Sequence, residues 1–292
     1  MDDIQNMTHI EHYIPRFYLR HFSVDKTKVF RYDIEQLDLP PKLSLLTESC
    51  QEKDMYELFN EDNSYLAPNL IEKAFGRIET ETGRVIKSIA EKSADMNNSD
   101  IDSLVSENEK NTLIIFLTTL LFRDPITINK GIKFQLNENS NLSEREARNY
   151  TLFNMLPLGV DKKWDQNTIG RMALRLFGGM SLKIGVSHED LVITGDKPVV
   201  LFGFSRNKSD DRVQKVLFPL TSNLIMYLYS PEIIDGGFKN VFINVNNQQL
   251  FELHDYISMN AEKYLFSKKQ LTEIQIERLK TARQRRNIEL VI

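Results

Sequence analysis

A change of hydrophobic period at Ser181 constrains this chain more than any other feature. Upstream, apolar residues recur at helical spacing. Downstream, 181–186, 190–194, 198–204, 213–218 and 223–229 are short runs rich in Val, Ile, Leu and Phe, separated by turn signals such as Ser187-His188-Glu189-Asp190. Gaps this short leave no room for the crossover helices that parallel strands require, so antiparallel pairing is expected and a doubly wound sheet is not. A further strand is expected at 241–244, and 246–264 and 270–285 read as helices that close the chain.

Before the switch, Lys28-Val29-Phe30-Arg31-Tyr32-Asp33 suits a pleated surface and reads as a short strand, which Pro40-Pro41 follows and interrupts. A long helix starts near Pro68, with Leu70, Ile71, Ala74, Phe75, Ile78, Val85, Ile86 and Ile89 on its apolar face. The acidic, Ser/Asn-rich stretch 94–109 reads as a loop or cap. Residues 107–123 form a helix that is apolar nearly all round and therefore central, ended by Arg123-Asp124-Pro125 because the residue before proline avoids the α region. Helices near 143–156 and 166–178 follow, the last closed by Gly178-Gly179. The expected fold is α+β, with 1–292 as a single domain. Its mostly helical N-terminal and middle region, 1–180, packs on a C-terminal antiparallel sheet in 181–292 that helices close.

Composition narrows the function classes. Hydrophobic residues at 41% and charged residues at 27% are ordinary globular usage, which argues against a mostly disordered chain. A net charge of −4 provides no global field for nucleic acid, so such binding would need a local patch. Cys50 is the one cysteine, which excludes an internal disulfide and suits a reducing cytoplasm. The acidic start Met1-Asp2-Asp3 does not read as an export signal, and no run approaches the roughly 18 apolar residues of a membrane span. A soluble cytoplasmic protein without membrane contact is expected.

The densest chemistry lies in His12-Tyr13-Ile14-Pro15-Arg16-Phe17-Tyr18-Leu19-Arg20-His21-Phe22. His9 and His12 have the spacing of one helical face and form a conceivable metal pair, although Tyr13-Ile14-Pro15 argues that any helix ends there. His12 reads either as an acid/base group or as a buried structural imidazole. Arg16 and Arg20, four apart, suit a clamp for phosphate or carboxylate, or equally internal ion pairs with Glu52, Asp54, Glu72 or Glu79. Glu72 and Glu79, two turns apart on the long helix, either line a cleft or belong to a solvated, salt-paired face with Lys73, Arg77, Glu81 and Arg84. Arg123 complements a helix C-terminus and, if it reaches the core, needs a carboxylate, with Asp124 and Asp196 as candidates. Asp196, between a strand and Lys197-Pro198, either caps backbone N–H groups or projects into a site. There is no Gly-x-Ser-x-Gly elbow and no phosphate loop, and the basic run Arg283-Gln284-Arg285-Arg286 is a weak nucleic-acid signal.

These residues, with Glu52-Lys53-Asp54-Met55-Tyr56, Asp196-x-Pro198-Val199 and Phe218-Pro219-Leu220, resemble the bacterial domain-of-unknown-function 4238 family over about residues 9 to 266. The resemblance implies a cytoplasmic bacterial α+β protein whose matching positions are His12, Tyr13, Pro15, Arg20, Tyr56, Glu72, Arg123 and Asp196. The family pattern of Ser-Asp-Asn-Pro is Gly195-Asp196-Lys197-Pro198 here, which leaves Asp196 and Pro198 in place. Two functions are carried forward. One is a non-catalytic sensing or interaction module with an anion-binding cleft, Arg16, Arg20 and Arg123 contacting a nucleotide, nucleic acid or other anion. The other is a phosphodiester or nucleotide hydrolase of the kind found in antiviral defence. There His12, Glu72 and Asp196 are catalytic, Tyr13, Tyr56 and Glu79 support them, and Mg²⁺ or Mn²⁺ is the cofactor. Both expect His12, Arg20, Arg123 and Asp196 to converge on one pocket.

Overall fold

The computed structural model describes residues 9–94, 105–154, 168–203, 213–232 and 241–289. In chain order, the first half contains β1 (Ile10–His12), α1 (Arg16–Leu19), a 3₁₀ turn (Arg20–Phe22), β2 (Lys28–Asp33), β3 (Lys42–Leu45) and β4 (Gln51–Lys53). The helices α2 (Leu70–Ala94), α3 (Glu107–Phe122), α4 (Pro125–Glu138), α5 (Glu144–Asn154) and α6 (Thr168–Phe177) follow. After them come β5 (Ser181–Val186), β6 (Thr194–Gly195), β7 (Val200–Phe202), β8 (Lys215–Pro219), β9 (Leu224–Tyr229), β10 (Val241–Asn244), α7 (Asn247–Asn260), β11 (Tyr264–Ser267) and α8 (Glu273–Glu289). The fold is α+β. It divides into two compact units, one of Met1–Ile14, Cys50–Thr82 and Asn111–Gly178, the other of Pro15–Ser49, Gly83–Lys110 and Gly179–Ile292.

In the first unit β1 pairs antiparallel with β4, which sets Glu11 opposite Glu52. Cys50 and Asp54, at the two ends of β4, both adopt positive φ (56° and 50°), so the chain turns sharply on either side of a three-residue strand. Tyr56, Ile71 and Phe75 share a core with Ile128 of α4, Leu152 of α5 and Ile169 of α6. Pro125–Glu138 is a helix where the sequence pattern offered only a terminator. Asp124 caps it, its carboxylate accepting from the Thr127 N–H, and Pro125 occupies the first position, where a missing N–H costs nothing. Gly131 lets α4 approach α5, since a Cβ there would lie 2.6 Å from Thr151 Cγ2.

The second unit holds two sheets, of order β10-β5-β9-β8-β7 and β3-β2-β11-β6. The expected antiparallel pairing is found throughout except at one edge, where β10 runs parallel to β5. The spacing argument held for strands adjacent in sequence, whereas β5 and β10 are separated by more than fifty residues, ample for a crossover. Expected runs 190–194 and 198–204 contract to β6 and β7, and the helix expected over 246–264 stops at Asn260, giving way to β11. One face of the five-stranded sheet, carrying Leu182, Ile184, Met226, Leu228, Val216 and Phe218, is completely buried. The opposite face, carrying Lys183, Tyr229, Lys215 and Phe202, is only half-buried.

Candidate functional site

Because Ile10-Glu11-His12 is a strand, residues three apart point to opposite faces, and the conceivable His9/His12 pair on one helical face does not form. His9 instead lies with Nδ1 2.9 Å from Asp54 Oδ1 at the surface. Among the described residues, no group of three or more His, Cys, Asp or Glu side chains is placed to hold a metal ion.

The same alternation sends Glu11 inward, where it is wholly buried. Its Oε2 accepts the Tyr56 N–H at 2.7 Å, while no N–H or O–H donor reaches Oε1. Glu57, also buried, accepts the Asn69 N–H with both oxygens. Burial pushes the Glu11 carboxyl up to about 8; the Tyr56 N–H works against this and the nearby charges of Glu57, Glu72 and Asp54 add to it. Glu11 therefore keeps its proton at neutral pH. Arg148 of α5 donates to the carbonyls of Asp54 and Met55, both at 2.8 Å, and so fixes the turn from the other side.

Arg123 is the largest fully buried side chain, and its partner is neither Asp124 nor Asp196. Asp124 is occupied in capping α4. Nη1 of Arg123 meets Glu79 Oε1 at 2.7 Å, Nη2 donates to the His12 carbonyl, and Nε donates to the Tyr56 hydroxyl at 3.3 Å. The guanidinium also lies 4.6 Å from the centre of the Phe75 ring. Burial works against its charge, but Tyr56, Glu79 and Glu72 outweigh that and raise its pKa above the usual arginine value. Tyr13, whose N–H donates to the Cys50 carbonyl at 2.9 Å, packs on the same core. His12, Tyr13, Tyr56, Glu72, Glu79 and Arg123 thus belong to one unit, with Glu72 and Glu79 half-buried on α2.

Arg16, Arg20 and Asp196 belong to the other unit. The Asp196 carboxylate is 4% exposed and accepts the N–H groups of Glu262, Lys263 and Tyr264 at 2.8, 2.7 and 3.0 Å. Burial raises its pKa against the pull of these donors. Asn260 Nδ2 bonds the carbonyls of Lys197 and Val199, so the 196–199 turn is pinned to the α7–β11 connection. Of the two readings of Asp196, backbone capping is the one its geometry satisfies. Tyr18 is also wholly buried, stacked on Phe218 and bonded through its hydroxyl to Thr194 Oγ1 and the Pro219 carbonyl. By contrast Arg16 and Arg20 are exposed, and their guanidinium groups have no ion pair or hydrogen bond among the described residues.

Glu11, Glu57 and Arg148 are the residues that sequence reasoning passed over. Glu11 carries a signal nonetheless: once 10–12 is read with period two, a lone acid stands on the face opposite Ile10 and His12.

A family model described as a protein of unknown function, DUF4238, matches residues 11–270. No curated protein and no solved structure is detectably similar to the chain. Among the described residues, no single helix is long and apolar enough to cross a membrane.

Proposed function

We propose that this chain, which belongs to the DUF4238 family, is a non-catalytic sensing or interaction module that binds an anionic ligand through Arg16 and Arg20. The observation that carries this reading is the contrast in how the arginines are used. Arg123 is saturated by Glu79, Tyr56 and the His12 carbonyl, whereas Arg16 and Arg20 stand exposed, one helical turn apart, without a partner among the described residues. Suitable ligands are nucleotides, nucleic acid or other phosphate-bearing anions. A reducing compartment such as the bacterial cytoplasm suits Cys50, which is buried and in no disulfide. The test is a thermal-shift titration of the full chain with ATP and with a short RNA. The midpoint is expected to rise with either ligand in wild type and to stay fixed in Arg20→Ala, whose unliganded midpoint matches wild type. An unliganded Arg20→Ala that melts markedly lower would instead give Arg20 a structural role.

One observation favours a second reading, hydrolysis of a phosphodiester or nucleotide. The Glu11 carboxyl, near 8, keeps its proton at neutral pH in the same unit as His12 and Glu72, which is the condition a general acid needs. Incubating the protein with RNA, single- and double-stranded DNA and nucleotides, with Mg²⁺, Mn²⁺ or a chelator, separates the two. Turnover that His12→Ala abolishes supports the hydrolase, and absence of turnover, or full turnover in that variant, supports the binding module.

A further inference from the structure

Lys215 opens β8 between β7 and β9, and register sets it directly across from Phe202 on one side and Tyr229 on the other. Its Nζ lies 5.1 Å from the Phe202 ring centre and 5.8 Å from those of Tyr227 and Tyr229. From α7, Tyr256 abuts Phe202 edge-on at 4.7 Å and backs that ring. The amine thus sits in an aromatic surround on the half-buried face of the five-stranded sheet.

Among the described residues the Lys215 ammonium makes no hydrogen bond and no ion pair, and exposed Glu252 of α7 acts on it through space alone. A half-buried ammonium without an anion costs free energy that cation–π contacts offset only in part. Loss of the proton removes that cost, and burial accordingly lowers the Lys215 pKa from the ordinary lysine value. Contact with a ring does not by itself produce this state. Lys263, whose Nζ is 5.0 Å from the Tyr264 ring centre, is exposed, and its bond to Tyr264 raises its pKa instead. A desolvated lysine holds more of its nitrogen as the neutral amine, the form that attacks a carbonyl carbon.

We infer that Lys215 captures an aromatic aldehyde by condensing with it to an imine, the rings of Phe202, Tyr227 and Tyr229 receiving the ring of the aldehyde. Nζ adds to the carbonyl carbon, the C=O π pair moves to oxygen, and a proton passes from nitrogen to that oxygen. The carbinolamine then expels this oxygen as water while C=N forms. One aldehyde and one amine give one imine and one water, with no oxidant or reductant. The neutral imine removes the desolvated charge, which favours capture at this nitrogen over an exposed one. The site is independent of Arg16 and Arg20.

Incubating the full chain near neutral pH with benzaldehyde and sodium cyanoborohydride, which fixes imines as benzylamines, and mapping the adducts by peptide mass spectrometry tests this directly. Lys215 is expected to be benzylated roughly tenfold faster than exposed Lys42 and Lys263, because orientation on the rings adds to its larger neutral fraction. Propionaldehyde, which carries no ring, is expected to give Lys215 a smaller lead over the same two lysines. A Phe202→Leu variant that melts with wild type is expected to lose part of the lead with benzaldehyde. Lys215 benzylation no faster than that of Lys42, or an equal lead with propionaldehyde, overturns the proposal.

Discussion

Replacing Glu11 by Gln tests the buried carboxyl pair where its energetics are largest. Folding takes the Glu11 carboxyl from its ordinary 4.5 to about 8, so the native state holds a proton that the unfolded chain releases. Below pH 4.5 both states are protonated and the group is neutral to stability. As pH rises the unfolded chain ionises first, and stability falls by about 1.4 kcal/mol per pH unit until the native group also ionises near 8. The loss reaches about 3 kcal/mol at pH 7 and about 5 kcal/mol above pH 8. Glutamine keeps an oxygen for the Tyr56 N–H but does not titrate. Urea unfolding of both proteins at pH 5, 6, 7 and 8 reads the difference. The Gln variant is expected to gain about 3 to 4 kcal/mol on wild type between pH 5 and 8, whatever its constant offset. Parallel pH profiles would refute the argument, because they would mean that Glu11 is already ionised in the folded protein.

The other titrating and bonding groups give sharper, single-site expectations. His254, 1% exposed with Nε2 2.8 Å from the Leu191 carbonyl, is pushed down to about 4 by burial. Its contribution is present above pH 6.5 and lost as pH falls toward 4, about 3 kcal/mol in all, so His254→Gln should flatten the acid side of the stability profile. Arg123→Ala empties a wholly buried position and leaves the half-buried Glu79 without its cation, and should cost about 3 to 5 kcal/mol by denaturant midpoint, with Arg123→Lys intermediate because it lacks the fork. Asp196→Asn replaces one of the two accepting oxygens by an N–H₂ group, so at least one of the three N–H donors loses its acceptor, and should cost about 2 to 3 kcal/mol while leaving ligand affinity of the folded protein unchanged. Tyr18→Phe removes the bonds to Thr194 and Pro219 and should cost about 1 to 2 kcal/mol in the same assay.

What the sequence disclosed, and what it concealed, divides along the range of the interactions involved. The α+β class, the apolar α3 and the antiparallel runs were legible because periodicity and turn residues act within a few positions. Asp124-Pro125 was legible as a terminator yet equally encodes a start, since an aspartate cap before a first-turn proline opens α4. Tyr264-Leu265-Phe266-Ser267 is as apolar as a helix end, and only pairing with β2, more than two hundred residues upstream, makes it a strand. The candidate site follows the same rule. Glu79 and Asp196 were each singled out with two roles open, and the deciding partners are Arg123, 44 positions away, and the N–H groups of Glu262 to Tyr264, 66 to 68 positions away. The block from His12 to Phe22 shows the consequence most plainly. As sequence it is one motif, but the unit boundary falls between Ile14 and Pro15. The backbone of His12 serves Arg123, and the ring of Tyr18 serves Thr194 and Phe218. Its adjacent aromatic and cationic residues therefore serve two separate cores, while the guanidinium groups of Arg16 and Arg20 face solvent.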